Sequence, residues 1–349
     1  MNPNQPVHYS SYLQLEEILD AQHPESQKPG ATPAHDEMLF IITHQAYELW
    51  FKQIIWELES VICLLDKPKL DDNASDLQVI VHRLSRVHGI LKLLVHQMDI
   101  METMTPMDFL EFRDLLRPAS GFQSWQFKKI EALLGLRFEA RHGQHYYTSQ
   151  LNAQEVGTVK SAEKGSPLNI LINRWLERMP FPDQSSFSVY NPDGPTETGV
   201  SAFWKRYADI YMQSLADAEK ANGELFLQTF VDATPDPSRH FSPKACRAAL
   251  FIMLYRGYPV LQQPFQLLEK LQDIDQELAN WRFRHFGMVQ KMIGTRIGTG
   301  GSTGAAYLKG AMDKHYIYHE LGRLSSFLID RSRLPLLPEP LIQKLGYHF

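Results

Sequence analysis

Residues 32–66 read TPAHDEMLFIITHQAYELWFKQIIWELESVICLLD. Leu39, Ile42, Leu49, Ile54, Leu58 and Val61 recur through this stretch at helical spacing. That is the pattern of one long helix with an apolar face. Thr32 followed by Pro33 predicts its start: a capping hydroxyl, then a proline at the first helical position, where no backbone N–H is needed. Asp36 and Glu37 then fall in the first turn, where the positive end of the helix dipole favours acids. The helix is expected to end near Asp66.

The same period continues outward. Residues 71–104 read as a second long helix, with Leu77, Val81, Leu84, Val87, Ile90, Leu91 and Leu94 on its apolar face. Thr105-Pro106 restarts a third over Phe109–Leu116; Pro118–Gly121 breaks it, and Phe122–Leu134 resumes. Ser11–Ala21, Leu168–Arg178, Phe203–Phe230, Lys244–Met253 and most of Tyr307–Ile329 also carry helical patterns, and Gln263–Ile293 reads as one long helix or two in series. Residues 23–33 and 180–199, rich in Pro, Gly and Ser, are loops, and 143–167 is polar and mixed. There is no internal repeat, no heptad series and no alternating strand pattern. The expected fold is all-α: one helical-bundle domain over residues 1–349, with 1–33 an N-terminal arm and about 140–200 an insertion on the helical core.

Bulk properties narrow the function. Of 349 residues, 44% are hydrophobic, which suits a packed core and excludes a disordered chain. A net charge of -5 offers no basic footprint for nucleic acid. Two cysteines, Cys63 and Cys246, make neither a disulfide framework nor a cysteine zinc site, and they fit a reducing compartment. The N-terminus is polar and no apolar run is long enough to cross a bilayer. The expectation is a cytoplasmic protein with a small-molecule partner and no membrane contact.

Four places carry candidate chemistry. His44 lies one turn after Phe40, on a face that Tyr47 and Phe51 continue. It reads either as the hydrogen-bonding group of an apolar pocket or as a core histidine bonded to a carbonyl. His285 lies one turn after Trp281, between Arg284 and Phe286. A neutral imidazole there suits a haem-iron ligand, and Arg282 and Arg284 suit its propionates; the plainer reading is a helix with a basic outer face. Arg113, one turn after Phe109, reads as a carboxylate clamp or as the partner of Asp114. Residues 294–304, GTRIGTGGSTG, form a glycine-rich loop whose backbone N–H groups and hydroxyls can approach an anion, or a flexible connection. His8, His23, His35, His142, His145, His240, His315, His319 and His348 stand in polar or terminal contexts and read as solvated or capping groups. His-Glu-x-x-His, Gly-x-Ser-x-Gly and phosphate-loop motifs are absent.

Four blocks together resemble the tryptophan 2,3-dioxygenase family: residues 35–52, HDEMLFIITHQAYELWFK; Phe112-Arg113-Asp114 followed by PASGFQS at 118–124; Asp273-Ile274-Asp275 leading to Trp281–His285; and GTGGS at 298–302. They occur in the family's order and span nearly the whole chain. The resemblance implies an all-helical haem b enzyme, usually a homotetramer, that opens the indole ring of L-tryptophan with O2 to give N-formylkynurenine. It implies His285 as the iron ligand, His44 as acceptor of the indole N–H, Arg113 as the carboxylate clamp and Thr299 as the contact to the ammonium end. Phe40 and Phe109 become walls of the indole pocket, and Trp281, Gly298 and Gly300 cofactor contacts. Tyr9 and Tyr12 match a Tyr-x-x-Tyr that reaches a neighbouring subunit's site, so the oligomer becomes part of the active site.

Phe109 stands where some bacterial members have tyrosine, Thr303 where serine is common, and residues 143–199 match poorly. A haem monooxygenase or peroxygenase on a tryptophan derivative is the competing enzyme, and a haem or tryptophan sensor without turnover the competing binding protein.

Overall fold

The computed structural model describes residues 6–68, 75–136, 138, 141, 148–179, 199–231, 239–296, 298, 308–310 and 316–346. Among these the chain is helical, with no strand. The helices are α1 (Tyr9–Leu13), α2 (Leu15–Leu19), α3 (Glu37–Leu65), α4 (Ser75–Met101), α5 (Pro106–Phe112), α6 (Trp125–Leu134), α7 (Ala153–Lys164) and α8 (Leu168–Glu177). They continue with α9 (Gly199–Ser214), α10 (Lys220–Phe226), α11 (Pro243–Leu254), α12 (Pro259–Ile293), α13 (His319–Arg323) and α14 (Glu339–Leu345). The long helices make the frame: α12 packs along α4, α4 along α3, and α3 along α6.

The packing surfaces show why. On α4 the buried positions Leu77, Ile80, Leu84, Val87, Leu91, Leu94, Met98 and Met101 alternate every three and four residues. On α3 the same spacing joins Phe51, Ile54, Leu58, Val61 and Leu65, and runs back through Tyr47, His44 and Phe40. On α12 it joins Leu261, Pro264, Leu268, Leu271, Asp275, Leu278 and Arg282, then reaches His285. This seven-residue spacing departs from the expectation of no heptad series. Polar members interrupt it on α3 and α12, and off-stripe Val81 and Ile90 blur it on α4. Each fully buried Leu, Ile or Val on the stripes stabilises the fold by roughly 1.5–3 kcal/mol. The apolar parts of the stripes build the core, and the ends that carry Phe40, His44, Met98, Met101, Arg282 and His285 face the site described below.

Boundaries differ from the sequence reading for local reasons. Helix α3 begins at Glu37, not at Thr32-Pro33. The Glu37 carboxylate accepts the backbone N–H groups of Glu25 and Ser26 at 2.8 and 2.9 Å, and Ser26 Oγ accepts that of Ala34 at 3.1 Å. Those bonds tie the lead-in to the turn at residues 25–27. Thr105-Pro106 does start α5: Thr105 Oγ1 accepts from Asp108 N, and Asp108 Oδ2 accepts from Thr105 N at 2.8 Å. The polar 143–167 segment holds α7, started by the same reciprocal bonding between Asn152 and Glu155. Ser11–Ala21 breaks into α1 and α2 at Gln14, whose φ is 52°. The Phe203–Phe230 helix divides between α9 and α10, and the 263–293 segment is one helix that starts at Pro259. The 180–198 loop lies outside the described residues.

Candidate active site

Side chains from α3, α5, α6 and α12 close around a cavity of about 310 Å³, within the range of small-ligand sites. Phe40, His44, Phe109, Arg113, Trp281, His285 and Gly298, all singled out in the sequence, line it together. Residues 40 and 109 come from different helices, and a second small core holds them in place. Ala34, Met101, Met104 and Phe112 are buried there, with Phe40, Phe109, Met288 and Met292 against them. The Phe40 ring lies 5.8 Å from Phe109, stacked, and 5.5 Å from Phe112, edge-on. The result is a wall of flat, apolar surface suited to an aromatic ligand.

His44 combines both readings the sequence left open. Its Nδ1 bonds the Phe40 carbonyl at 2.7 Å, and its ring lies 4.1 Å from the Phe40 ring while facing the cavity. His44 is exposed toward the cavity, yet the protein crowded around its ring holds its pKa below the ordinary value, against the opposing effects of the Phe40 bond and Glu48. The ring is therefore neutral at pH 7, with Nδ1–H donating and Nε2 left as acceptor.

His285 is also neutral. Burial, aided by nearby His44, pushes its pKa down to about 4. Trp281 stacks on it at 4.9 Å and 19°, and Phe127 backs Trp281 at 4.8 Å. Its Nδ1 is buried with no hydrogen-bond partner among the described residues. No group of three or more His, Cys, Asp or Glu able to cage a metal occurs among those residues. One neutral imidazole in an apolar cavity fits a metal that arrives with its own equatorial ligands, as haem iron does.

Arg113 is buried, 5% exposed, in the turn after α5. Its sequence neighbour Asp114 pairs instead with Arg117, at 3.2 Å. Arg282 and Arg284, expected at propionates, are engaged by carboxylates: Arg282 by Glu131 at 2.7 Å, Arg284 by Asp99 and Glu102 at 2.7 and 3.1 Å. Tyr9 and Tyr12 do not line the cavity; they stand on α1, 72% and 74% exposed. Thr299, Gly300 and Thr303 lie outside the described residues, as do His142, His145, His315 and His348. Gly294, at the end of α12, has φ 56°, a conformation that favours glycine.

Sequence reasoning missed several lining residues. Met98, Met101, Met104, Met288 and Met292 supply an adaptable apolar surface, yet each reads as ordinary core. Lys128 and Glu131, from α6, are buried charges at the cavity wall. Lys128 Nζ donates to the Phe122 carbonyl, and burial lowers its pKa to about 8. Lys128 and Glu131, three residues apart and so on one face of a largely apolar helix, were a usable signal.

The family model for tryptophan 2,3-dioxygenase matches residues 3–328. The chain belongs to the tryptophan 2,3-dioxygenase family. It is 41% identical to tryptophan 2,3-dioxygenase of Bdellovibrio bacteriovorus, covering 99% of each chain. It is 41% identical to that of Dictyostelium discoideum over 98% of this chain and 88% of the relative. With that of Alteromonas mediterranea it shares 39% identity, over 99% and 98%. Membership of this family agrees with the all-helical fold. No described helix is long and apolar enough to cross a membrane.

Proposed function

We propose that this chain opens the indole C2–C3 bond of L-tryptophan with O2, giving N-formylkynurenine, with haem b held by His285. The observation that carries the reading is the convergence of His44, Arg113, His285 and the Phe40–Phe109 wall on one cavity. Family membership supports it independently.

The side chains divide the work. Phe40 and Phe109 receive the flat indole. His44 accepts the indole N–H through Nε2, because Nδ1 is committed to the Phe40 carbonyl. That bond fixes the orientation of the ring to be cleaved. Arg113 binds the carboxylate in a two-pronged contact. Thr299 meets the ammonium end. His285 offers a neutral lone pair to the iron, with Trp281 holding the imidazole plane, and Gly298 and Gly300 bring backbone close to the cofactor. Haem, when bound, supplies the O2 chemistry that these side chains lack. The apolar walls exclude water from the reacting ring.

The assembly completes the reading. The exposed Tyr9 and Tyr12 belong to an arm, residues 1–33, that reaches a neighbouring subunit's site in a homotetramer. The chain works in the cytoplasm as one helical domain, with residues 140–200 an elaboration. The test is turnover. Reduced, haem-loaded protein is given L-tryptophan and O2, and the product is weighed. N-formylkynurenine supports the reading. Tryptophan bound tightly and returned unchanged would make the chain a sensor instead.

A further inference from the structure

We infer that the buried Glu131–Arg282 ion pair is a positioning element for His285: it sets the rotation of α12 and thereby the aim of the imidazole. The inference rests on the haem reading above.

Metal-bound histidines ordinarily owe their orientation to a hydrogen bond on the second ring nitrogen. His285 Nδ1 makes none with the described residues. Among the described residues, its aim comes from packing and from the helix that carries it. Trp281 stacks on the ring and sets its plane, but both residues ride on the same helix. Rotation of α12 would carry them together. Most of the α12 stripe is apolar, and apolar contacts are non-directional.

Directional contacts on α12 occur at Asp275, which accepts from the backbone of Ile317 and Tyr318 almost three turns before His285, and at Arg282 and Arg284 in the turn just before it. Arg284 pairs with Asp99 and Glu102, yet Asp99 is 59% exposed, and such surface pairs hold little. Arg282, one turn before His285, is different. Its Nη2 donates to Glu131 Oε1 at 2.7 Å, and both side chains are 5% exposed. Glu131 Oε2 accepts from Arg141 Nη1 at 2.6 Å, and Arg141 Nε stands 3.7 Å from Glu163. Charges of alternating sign thus run from α7 through residue 141 and α6 to α12. A buried ion pair is a weak source of stability, since well-packed apolar residues of similar volume do as well. What it adds here is direction, at the turn that carries the iron ligand.

The test uses full-length, haem-loaded, ferrous protein, read by the iron–histidine stretching band in resonance Raman spectra and by the haem dissociation rate. Glu131→Gln and Arg282→Lys are expected to shift or broaden the band and to speed haem loss by roughly tenfold, the low end for lost outer-shell partners. Glu320→Gln is the control. Glu320 accepts the backbone N–H groups of His240 and Phe241 from its place on α13. Its loss should lower Tm and leave the band unmoved. Bands for Glu131→Gln and Arg282→Lys that coincide with the wild type would overturn the inference. If Glu131→Gln does not fold, Arg282→Lys, which keeps the charge, decides. A wild-type band that survives His285→Ala would instead overturn the haem reading, and the inference with it.

Discussion

His44 Nδ1 lies 2.7 Å from the Phe40 carbonyl oxygen, so the imidazole enters the cavity with its Nε2 lone pair free to accept. The bond also joins two residues of the cavity wall. Replacing His44 by alanine removes the acceptor while keeping the helix. The expected loss in kcat/KM for L-tryptophan is about tenfold, the worth of one neutral hydrogen bond. Wild type should favour tryptophan over its N1-methyl derivative, and His44→Ala should lose that preference. Equal discrimination in both proteins would contradict the role.

The same residue sets an acid limb. The protein crowded around its ring lowers the His44 pKa, so the neutral acceptor persists below the ordinary histidine value of about 6.5. Protonation at lower pH turns Nε2 into a donor facing another donor. kcat/KM should therefore fall toward acid, with its midpoint below pH 6.5. His44→Asn should flatten that limb. A limb of the same shape in the variant would assign it to another group.

Arg113 is buried at the cavity, and a charge-assisted contact there is worth roughly 1.5–3 kcal/mol. Arg113→Gln should raise KM for L-tryptophan by roughly 10- to 150-fold. Tryptamine, which lacks the carboxylate, should lose almost nothing. Parallel losses for the two compounds would show that Arg113 supports the fold and not the substrate.

Much of this site was legible in the sequence because polar residues interrupt apolar stripes. His44 and His285 are the histidines of the α3 and α12 stripes, and both line the cavity. What stayed hidden was pairing. Nothing in the sequence near Arg282 shows that its partner is Glu131, 151 positions away. The five cavity methionines were hidden for the opposite reason, being indistinguishable from core. The Thr32-Pro33 start failed because a tertiary contact, Glu37 on the 25–26 backbone, outweighed a sound local signal.

Lys128 shows what the site costs the fold. Its pKa is lowered to about 8 by burial, so the ammonium is disfavoured in the folded state. A lysine whose folded pKa is depressed destabilises the fold below that pKa, and the penalty fades as pH rises toward the unfolded value of about 10.4. Lys128→Met in the haem-free protein should gain about 3 kcal/mol at pH 7 by linkage at the 8% exposed site. The gain should shrink above pH 8. Denaturant titrations at pH 7 and 10 measure it, and a gain that does not change with pH would contradict the cause given.

Gly135 closes α6 with φ 116°, and a Cβ there would stand 2.2 Å from the Asn169 side chain. Asn169 cannot easily yield, because its Nδ2 bonds the Gly135 carbonyl at 3.3 Å and His240 at 3.2 Å. Gly135→Ala combines backbone strain with overpacking and should cost about 2–4 kcal/mol. Adding Asn169→Ala should relieve the clash and recover part of that loss. Strictly additive losses in the double variant would argue against a clash.

The central claim is that this cavity inserts both atoms of O2 into the indole ring. It is tested most directly by turning over L-tryptophan with the reduced, haem-loaded protein under isotopically heavy O2 and weighing the product. Two heavy oxygens in a ring-opened product are expected. A product carrying one heavy oxygen would contradict the claim and make the chain a monooxygenase.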